Sequence, residues 1–309
     1  MESNSKILVT GADGMAGSAV VRELRKQGYN NIVAVDRREY NLIDTISVRN
    51  LFSKENPEYV FHIAAKVGGI QANNTQSADF IYENLMMQCN VIETTQMYQV
   101  KKLLFCGSAC IYPKTTPMPI KEEYLLTGLL EETNKAYAIA KIAGVIMCQM
   151  YRKQYGCNFI AAMPTNLYGP GDNFNLNNSH VMPALLRKFY EASEKVEIWG
   201  SGKPRREFLY VDDLANALVF LMNKYNQPEP INVGTGIDVS IMELVELIKT
   251  TIGYKGQVVY NSDYPDGVFE RRLDVSKLYN LGWVANTSLS VGVKQTWDWF
   301  IKNKDTIRR

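Results

Sequence analysis

Histidine is scarce in this chain, and its cysteines lack the spacing of a metal site. The 309 residues include two histidines, His62 and His180, and five cysteines at positions 89, 106, 110, 148 and 157, without a CxxC pair. A metal site is therefore not expected. Because the cysteine count is odd and the spacing irregular, a disulfide framework is not expected either. Free thiols in a reducing compartment, the cytoplasm, are favoured.

Neither charge nor hydrophobic runs indicate a nucleic acid or membrane partner. Lys and Arg exceed Asp and Glu by 34 − 32 = 2, so a basic surface for nucleic acid is not expected. No apolar stretch approaches the roughly 18 residues that a membrane span needs. The first ten residues, MESNSKILVT, lack the charged and apolar regions of a signal peptide. With 46% hydrophobic residues, the chain can bury a sizeable core.

Short apolar strands alternate with longer helical segments, of which 78–99 and 136–155 are the longest. This alternation predicts an α/β fold, a doubly wound parallel sheet with a smaller C-terminal α/β domain. We assign residues 1–170 to the first domain and 171–309 mainly to the second, with 206–236 returning to the first. The strands of the sheet are predicted at 5–10, 31–36, 59–65, 101–108 and 158–164, with one more in INVGTG.

A glycine-rich loop, TGADGMAG at residues 10–17, lies between the first predicted strand and the first predicted helix. Glycines let the backbone turn sharply and approach a pyrophosphate, while the helix N-terminus supplies amide groups and a partial positive charge. An ordinary strand-to-helix turn is the alternative. The strand before the loop and the helix after it favour a dinucleotide site.

The end of the second strand carries mixed signals about the dinucleotide. Asp36 stands where an acid binds the ribose 2′-hydroxyl of NAD. Arg37 and Arg38 follow directly, and a guanidinium there can pair with the 2′-phosphate of NADP. A solvated turn is the alternative for the two arginines.

Tyr137 and Lys141 are spaced i, i+4 in the helix predicted at 136–155, so they lie on one face. We expect the ammonium to stabilise the phenolate and lower the tyrosine pKa. Such a tyrosine can protonate a carbonyl oxygen while hydride adds to the carbon. Combined with the glycine loop and with Ser108 after the fourth strand, this set resembles the extended short-chain dehydrogenase/reductase family, whose dinucleotide domain is of the Rossmann type.

The resemblance narrows to the GDP-L-fucose synthase family, and it covers essentially the whole chain. It rests on AAKVGGIQANN, KLLFCGSACIYPK, YAIAKIAG, MPTNLYGPGDNF, NSHVMPALLR and WGSGKPRREFLYVDD. The Cys110 and His180 motifs are the specific ones. The family implies NADPH-dependent 3,5-epimerisation and 4-reduction of GDP-4-keto-6-deoxy-D-mannose, an NADP(H) cofactor, and a homodimer formed by the two long helices.

The family chemistry needs a base and an acid on opposite faces of the sugar, because inversion at C3 and C5 removes a proton from one face and returns one to the other. The resemblance implies that Cys110 is the base and His180 the acid. A thiol pKa falls when cations are near, and histidine titrates near neutral pH. Ser108 and Tyr137 are implied to polarise the C4 oxygen, and Lys141 to hold the nicotinamide ribose.

The resemblance also implies binding residues. Lys188 and Ala109 depart from the family pattern, which has an arginine and a second serine there. The implied substrate residues are Lys188, Trp199, Arg206 and Arg271. The implied cofactor residues are Gly11, Gly14, Met15, Gly17, Asp36, Arg37, Arg38, Ala64, Ala65, Tyr137, Lys141, Pro164 and His180.

Three alternatives stay open at this point: a sugar-nucleotide 4-epimerase, a 4,6-dehydratase, or a non-catalytic NADP-sensing protein. A dehydratase usually has acidic residues after the strand-four serine, whereas this chain has Ala109-Cys110-Ile111. A 4-epimerase does not need the Cys/His pair. Sensing proteins usually lose the Tyr or the Lys, and both are present.

Overall fold

The computed structural model describes residues 1–176, 178–264 and 266–307. Its strands are β1 (Ile7–Thr10), β2 (Ile32–Ala34), β3 (Tyr59–His62), β4 (Lys102–Cys106), β5 (Phe159–Pro164), β6 (Asn166–Tyr168), β7 (Lys195–Trp199), β8 (Arg205–Tyr210), β9 (Ile231–Val233), β10 (Asp238–Ser240), β11 (Gln257–Asn261) and β12 (Glu270–Arg271). Its helices are α1 (Met15–Lys26), α2 (Thr45–Glu55), α3 (Ile70–Thr75), α4 (Ser77–Met97), α5 (Lys135–Tyr155), α6 (Val181–Glu191), α7 (Val211–Lys224), α8 (Ile241–Ile252), α9 (Ser276–Asn280) and α10 (Leu289–Asn303). Short 3-10 turns cover Ala109–Ile111, Glu122–Tyr124 and Glu132–Asn134.

Six strands form a parallel sheet in the order β2-β1-β3-β4-β5-β9. Strand β2 lies on one side of β1, and β3, β4, β5 and β9 lie on the other, so the strand order reverses between β1 and β3. In such sheets, ligands bind at the carboxyl ends of the strands beside this reversal. The predicted doubly wound parallel sheet is therefore confirmed, although β2 ends at Ala34, two residues earlier than predicted.

Helices cover both faces of the sheet. Successive side chains of a strand point to opposite sides, so the apolar side chains of a buried strand lie on both faces and each face needs a layer of helices. Ile7 and Val9 of β1 belong to the core on the side of α1 and α7, which pack on each other. Leu8 belongs to the opposite core, which α2, α4 and α5 cover. All three are fully buried. Since α7 follows β8, a segment of the second half of the chain completes the first layer.

The C-terminal half has a core of its own, in which Tyr168, Phe174, Leu186, Leu244 and Phe300 are buried. Around it lie the small sheet β10-β8-β12, with β6 also paired to β8, and the parallel pair β7–β11. Ser240 begins α8 with a capping box, because Glu243 N donates to Ser240 Oγ at 3.1 Å and Ser240 N donates to Glu243 Oε2 at 2.6 Å. In the described part of the chain, no helix has the length and hydropathy of a transmembrane segment.

Candidate active site

The glycine loop leaves no room for side chains at two positions. Gly11 has a φ of +69°, and a Cβ there would lie 2.8 Å from the backbone of Ala64. A Cβ at Gly17 would lie 2.0 Å from the Gly11 carbonyl oxygen. Gly14 precedes α1, and among the described residues no side chain caps that helix end. The loop therefore presents a helix N-terminus at the carboxyl end of β1, which fits the pyrophosphate of a dinucleotide.

The other residues predicted to hold the cofactor lie at the same edge of the sheet. Met15 begins α1, and Ala64 and Ala65 follow β3. Pro164 is the last residue of β5. Because the strands are parallel, their carboxyl ends form one rim, and these residues share it with the glycine loop.

The acid at the end of the second strand is already engaged by a guanidinium. Arg38 Nε lies 3.0 Å from both carboxylate oxygens of Asp36, and Arg38 Nη2 bonds to Oδ2. Hydrogen bonds from Arg38 lower the pKa of Asp36 to about 2. Arg37 Nε lies 3.6 Å from Asp13 Oδ2. Both arginines are exposed, so they are free to turn toward a phosphate in place of these carboxylates.

Ser108, Cys110 and Tyr137 come together although they lie on different elements. Ser108 begins the 3-10 turn after β4, and its Oγ accepts a 3.4 Å hydrogen bond from Cys110 N. This turn packs against α5, whose first turn carries Tyr137. Hydrogen bonding by Ser108 lowers the pKa of both the Cys110 thiol and the Tyr137 phenol, against the larger effect of burial. Ser108 thus links the two groups that the sequence assigned to epimerisation and reduction.

The expected lowering of the Tyr137 pKa by Lys141 is wrong, because the pKa of Tyr137 is raised. Burial raises the pKa of Tyr137 well above its ordinary value, and the neighbouring thiols of Cys110 and Cys106 act in the same direction. Lys141 Nζ lies 5.9 Å from the centre of the Tyr137 ring and donates a 2.8 Å hydrogen bond to the Cys106 carbonyl oxygen. Burial also lowers the pKa of Lys141. Tyr137 is therefore protonated at neutral pH, as a proton donor must be.

The thiol shows the same competition between burial and charge. Cys110 is partly buried, and burial raises its pKa. Hydrogen bonds from Ser108 and Asn134 and the charges of Lys141 and Arg271 act in the opposite direction without overcoming it. The two cations thus lower the pKa of Cys110 as expected, but the loss of water around the thiolate outweighs them.

His180 directly precedes α6, on a loop that is fastened to the segment before α3. Gly69 N donates a 2.9 Å hydrogen bond to Asn178 O, and a Cβ at Gly69 would lie 2.7 Å from Ser179 O. Nearby, Phe80 of α4 packs edge-on against Tyr137, with ring centroids 6.5 Å apart. His180 is an exposed residue, yet loss of water around the imidazole lowers its pKa.

Arg206 and Arg271 stand side by side, because β12 pairs with β8 in a register that places the two residues opposite each other. Arg271 donates to the carbonyl oxygens of Ala109, at 3.3 Å, and Pro113, at 3.2 Å, so it borders the Cys110 turn. Burial lowers the pKa of both arginines. Within the described residues neither has a carboxylate partner, whereas Arg205 and Arg272 each contact Asp238. Two partly buried guanidinium groups without a counter-ion favour binding of an anion.

Lys188 and Trp199 form a separate contact at the C-terminal half. Lys188 Nζ lies 4.4 Å from the Trp199 ring centroid and donates a 3.0 Å hydrogen bond to Glu197 O. Trp199 stacks on Tyr264 with centroids 4.5 Å apart, and 57% of its surface is exposed. This exposed pair of aromatic rings is a platform on which a flat base can stack.

Sequence reasoning missed three residues around these groups: Asn134, Tyr264 and Glu207. Glu207 is fully buried and accepts hydrogen bonds from the backbone amides of Thr235 (2.7 Å), Gly236 (2.8 Å) and Leu273 (2.7 Å). It thereby fastens the end of β12 beside Arg206. Asn134 had a weak signal, since it stands three residues before Tyr137. No local pattern indicates the roles of the other two.

Two of the cavities in the described part of the chain lie outside this cluster. The larger, about 440 Å³, is bordered by Phe208, Trp283 and Leu289, and the described residues that line it include none of the predicted site residues. The smaller, about 350 Å³, lies between Asn73 and Ser77 on one side and Thr133 and Ala136 on the other. No group of three or more His, Cys, Asp or Glu that could hold a metal ion occurs in the described ranges.

The fold and the site together define a dinucleotide-dependent sugar-nucleotide enzyme class. The chain belongs to the NAD dependent epimerase/dehydratase family, whose model matches residues 7–234. It is 52% identical to GDP-L-fucose synthase 1 of Arabidopsis thaliana, over 98% of this chain and 95% of that one. It is 47% identical to the GDP-L-fucose synthase of Escherichia coli K12, over 99% of both chains.

Solved structures agree with this relationship. The NADP-bound GDP-L-fucose synthetase of Naegleria fowleri superposes with a TM-score of 0.94 at 31% identity, over 100% of this chain and 98% of that one. The GDP-mannoheptose C4 reductase of Campylobacter jejuni with NADP bound superposes with a TM-score of 0.91 at 41% identity, over 97% and 99% of the two chains.

Proposed function

We propose that the chain epimerises C3 and C5 of GDP-4-keto-6-deoxy-D-mannose and then reduces C4 with NADPH, which yields GDP-L-fucose. The observation that carries this proposal is the turn Ala109–Ile111, in which Cys110 N donates to Ser108 Oγ at 3.4 Å and which packs against the helix that carries Tyr137. The hydroxyl groups of Ser108 and Tyr137, which would bind the C4 carbonyl oxygen, thus lie beside the Cys110 thiol, which would act on C3 and C5. The family relationship and the 52% identity to a GDP-L-fucose synthase support the same activity.

The cofactor is NADP(H), and the chain provides a fitting site for it. Bound NADPH supplies the hydride that reduces C4. Gly11, Gly14 and Gly17 bring the backbone to the pyrophosphate. Arg37 and Arg38 are the residues that we assign to the 2′-phosphate, and the existing Arg38–Asp36 pair supports this, because both oxygens of the NAD-favouring acid are occupied. Lys141 is assigned to the nicotinamide ribose.

The C4 oxygen lies between Ser108 and Tyr137 in our proposal. Both hydroxyls donate hydrogen bonds to it, so negative charge on that oxygen is stabilised while C3 or C5 loses its proton. Because burial raises the pKa of Tyr137, the phenol keeps its proton until the reduction step. Tyr137 then protonates the oxygen of the new hydroxyl group.

Epimerisation requires Cys110 as a thiolate and His180 as an imidazolium, one on each face of the sugar. The pKa of Cys110 is raised and that of His180 is lowered. The combination of Cys110 thiolate and His180 imidazolium is therefore a minority species at every pH. The polarised carbonyl acidifies the C3 and C5 protons, which compensates for the low population of this pair.

The GDP end of the substrate meets the cations and aromatic rings of the C-terminal half. We assign the diphosphate to Arg206 and Arg271, which lack carboxylate partners among the described residues. We assign the guanine to Trp199, which stacks on Tyr264. Lys188, which lies against Trp199, adds positive charge there as a point charge rather than a bidentate fork.

We further propose a homodimer in the cytoplasm. Helices α4 and α5 pack on each other and leave apolar side chains exposed along their outer faces, so a second copy could complete a four-helix packing. These side chains are Tyr82, Met97, Ile139, Met150 and Tyr155. The five free cysteines favour a reducing compartment. Residues 1–170 with 206–236 are assigned to NADP, and the remainder of 171–309 to the GDP-sugar.

The decisive experiment is incubation of the purified chain with GDP-4-keto-6-deoxy-D-mannose and NADPH, followed by NMR identification of the sugar. We expect GDP-L-fucose and one NADPH oxidised per sugar. Conversion of a sugar nucleotide without NADPH consumption would instead indicate a 4-epimerase. If NADPH binds but neither GDP-L-fucose nor any other converted sugar nucleotide forms, the proposed function is refuted.

A further inference from the structure

The guanidinium group of Arg271 is hydrogen-bonded to the backbone of the turn that carries Cys110. Nη1 donates to the carbonyl oxygen of Ala109 at 3.3 Å, and Nη2 donates to that of Pro113 at 3.2 Å. Both nitrogens also reach the Tyr112 carbonyl oxygen, at 3.5 Å. These carbonyl groups precede and follow Cys110 in the chain, so one planar side chain spans the turn on both sides of the thiol residue.

The backbone of Arg271 is itself held from two directions. Strand β12, which contains it, pairs with β8. Just beyond this strand, Leu273 N donates a 2.7 Å hydrogen bond to Oε2 of the fully buried Glu207, and Ile120 N donates a 2.8 Å hydrogen bond to Arg272 O. The guanidinium group is therefore a firm attachment point for the Cys110 turn.

The same guanidinium group borders the subsite that we assign to the diphosphate. Arg271 stands opposite Arg206 in the strand pairing. Arg206 donates to the Arg205 carbonyl oxygen at 2.7 Å and makes no hydrogen bond to the Cys110 turn within the described residues. A guanidinium has five N–H groups. Nη1 and Nη2 of Arg271 hold the turn, and in the described part of the chain its Nε makes no hydrogen bond, so Nε is available to a phosphate oxygen.

We propose that Arg271 is a positioning residue for Cys110 and couples binding of the GDP diphosphate to placement of this base. This inference rests on the proposed function, in which the diphosphate meets Arg206 and Arg271. A phosphate oxygen on Nε restricts the guanidinium, and the planar group passes that restriction to the carbonyl groups of the turn. Binding energy from the nucleotide end is thus used at the carbons that react.

Two lysine variants separate this role from a general effect on the strand. Arg271→Lys keeps the positive charge for a phosphate, but a compact ammonium group cannot span the carbonyl oxygens of Ala109 and Pro113. Arg272→Lys is the matched control, because Arg272 is the next residue and contacts Asp238 instead of the turn. We expect both variants to keep the thermal unfolding midpoint within a few degrees of the wild type.

The direct readout is hydrogen exchange of the backbone amides in the peptide that covers residues 108–113, measured by mass spectrometry with and without GDP. GDP should slow this exchange in the wild type and in Arg272→Lys. Without GDP, exchange should be about tenfold faster in Arg271→Lys than in the wild type, and saturating GDP should not slow it. Wild-type exchange in Arg271→Lys, or equally fast exchange in Arg272→Lys, would overturn the inference. If Arg271→Lys does not fold, the wild type decides: bound GDP that leaves this peptide unprotected overturns it.

A second measurement uses the GDP-sugar itself, with deuterium uptake at C3 and C5 as the rate. In Arg271→Lys we expect kcat to fall about tenfold in addition to a rise in KM, and this fall should exceed the one in Arg206→Lys. A rise in KM alone would make Arg271 a binding residue only and overturn its positioning role.

The two experiments distinguish failure of the inference from failure of the proposed function. Exchange at C3 and C5 without protection of the turn by GDP overturns the inference and leaves the function standing. Protection of the turn by GDP in a protein that does not exchange these protons supports the role of Arg271 and refutes the proposed function.

Discussion

Gly69→Ala tests whether the loop that carries His180 is positioned by a single close contact. Gly69 has φ −66° and ψ 179°, which alanine adopts without strain. The added methyl group would lie 2.7 Å from Ser179 O, whereas ordinary contacts begin near 3.4 Å, so the carbonyl must retreat by about 0.7 Å. Because Ser179 precedes His180 in the chain, we expect the imidazole to move by a comparable distance.

The size of the effect follows from the displacement. A misplacement of about 1 Å costs roughly a hundredfold in rate, so about 0.7 Å should slow the step that uses His180 roughly 10- to 30-fold. The affected step is proton return during epimerisation. NADPH binding should change little, because the three atoms nearest to the added methyl group belong to Asn178 and Ser179 and not to the glycine loop.

The assay is deuterium uptake from D₂O at C3 and C5, followed by NMR, in four proteins: wild type, Gly69→Ala, His180→Gln and the double variant. If the methyl acts through His180, it should have little additional effect once His180 has been replaced. Equal slowing by Gly69→Ala in both backgrounds would refute the reasoning, and so would wild-type exchange in Gly69→Ala.

Four further predictions concern the chemistry. Cys110→Ser should slow proton exchange at C3 and C5 by at least 10²–10⁴-fold, because a hydroxyl does not ionise near neutral pH. NADPH should still be oxidised in that variant and give mainly GDP-rhamnose, and loss of NADPH oxidation in a folded variant would contradict the assignment. Tyr137→Phe should abolish reduction while NADPH affinity is retained, as measured by fluorescence titration; full reductase activity would remove Tyr137 from the mechanism. NADPH should be preferred to NADH about ten- to a hundredfold in kcat/KM, the value of a guanidinium–phosphate bond, and a preference for NADH would show that Asp36 decides. The pH profile of exchange should be flat rather than narrowly peaked. On the plateau, the thiolate gained with rising pH is offset by the imidazolium lost. The rate should fall off only below pH 6.5, because the pKa of His180 is lowered, and only above pH 9, because the pKa of Cys110 is raised. A sharp optimum between these limits would contradict this.

Features that depend on neighbouring residues in the chain were readable from the sequence. The parallel sheet followed from the alternation of strands and helices, and the long helices at 78–99 and 136–155 are found as Ser77–Met97 and Lys135–Tyr155. The glycine loop was equally clear, because the need for glycine at positions 11 and 17 arises from a turn a few residues long. The family assignment was also correct, since its motifs are short local patterns.

Only the tertiary structure decided the electrostatics of the site. The sequence shows the positive charge of Lys141 near Tyr137, but not how far both groups are withdrawn from water. Burial raises the pKa of Tyr137, and it outweighs the effect of the nearby cations on the pKa of Cys110. Desolvation depends on everything that packs around a group, from all parts of the chain. The same holds for the paired guanidinium groups of Arg206 and Arg271, which strand register alone brings together.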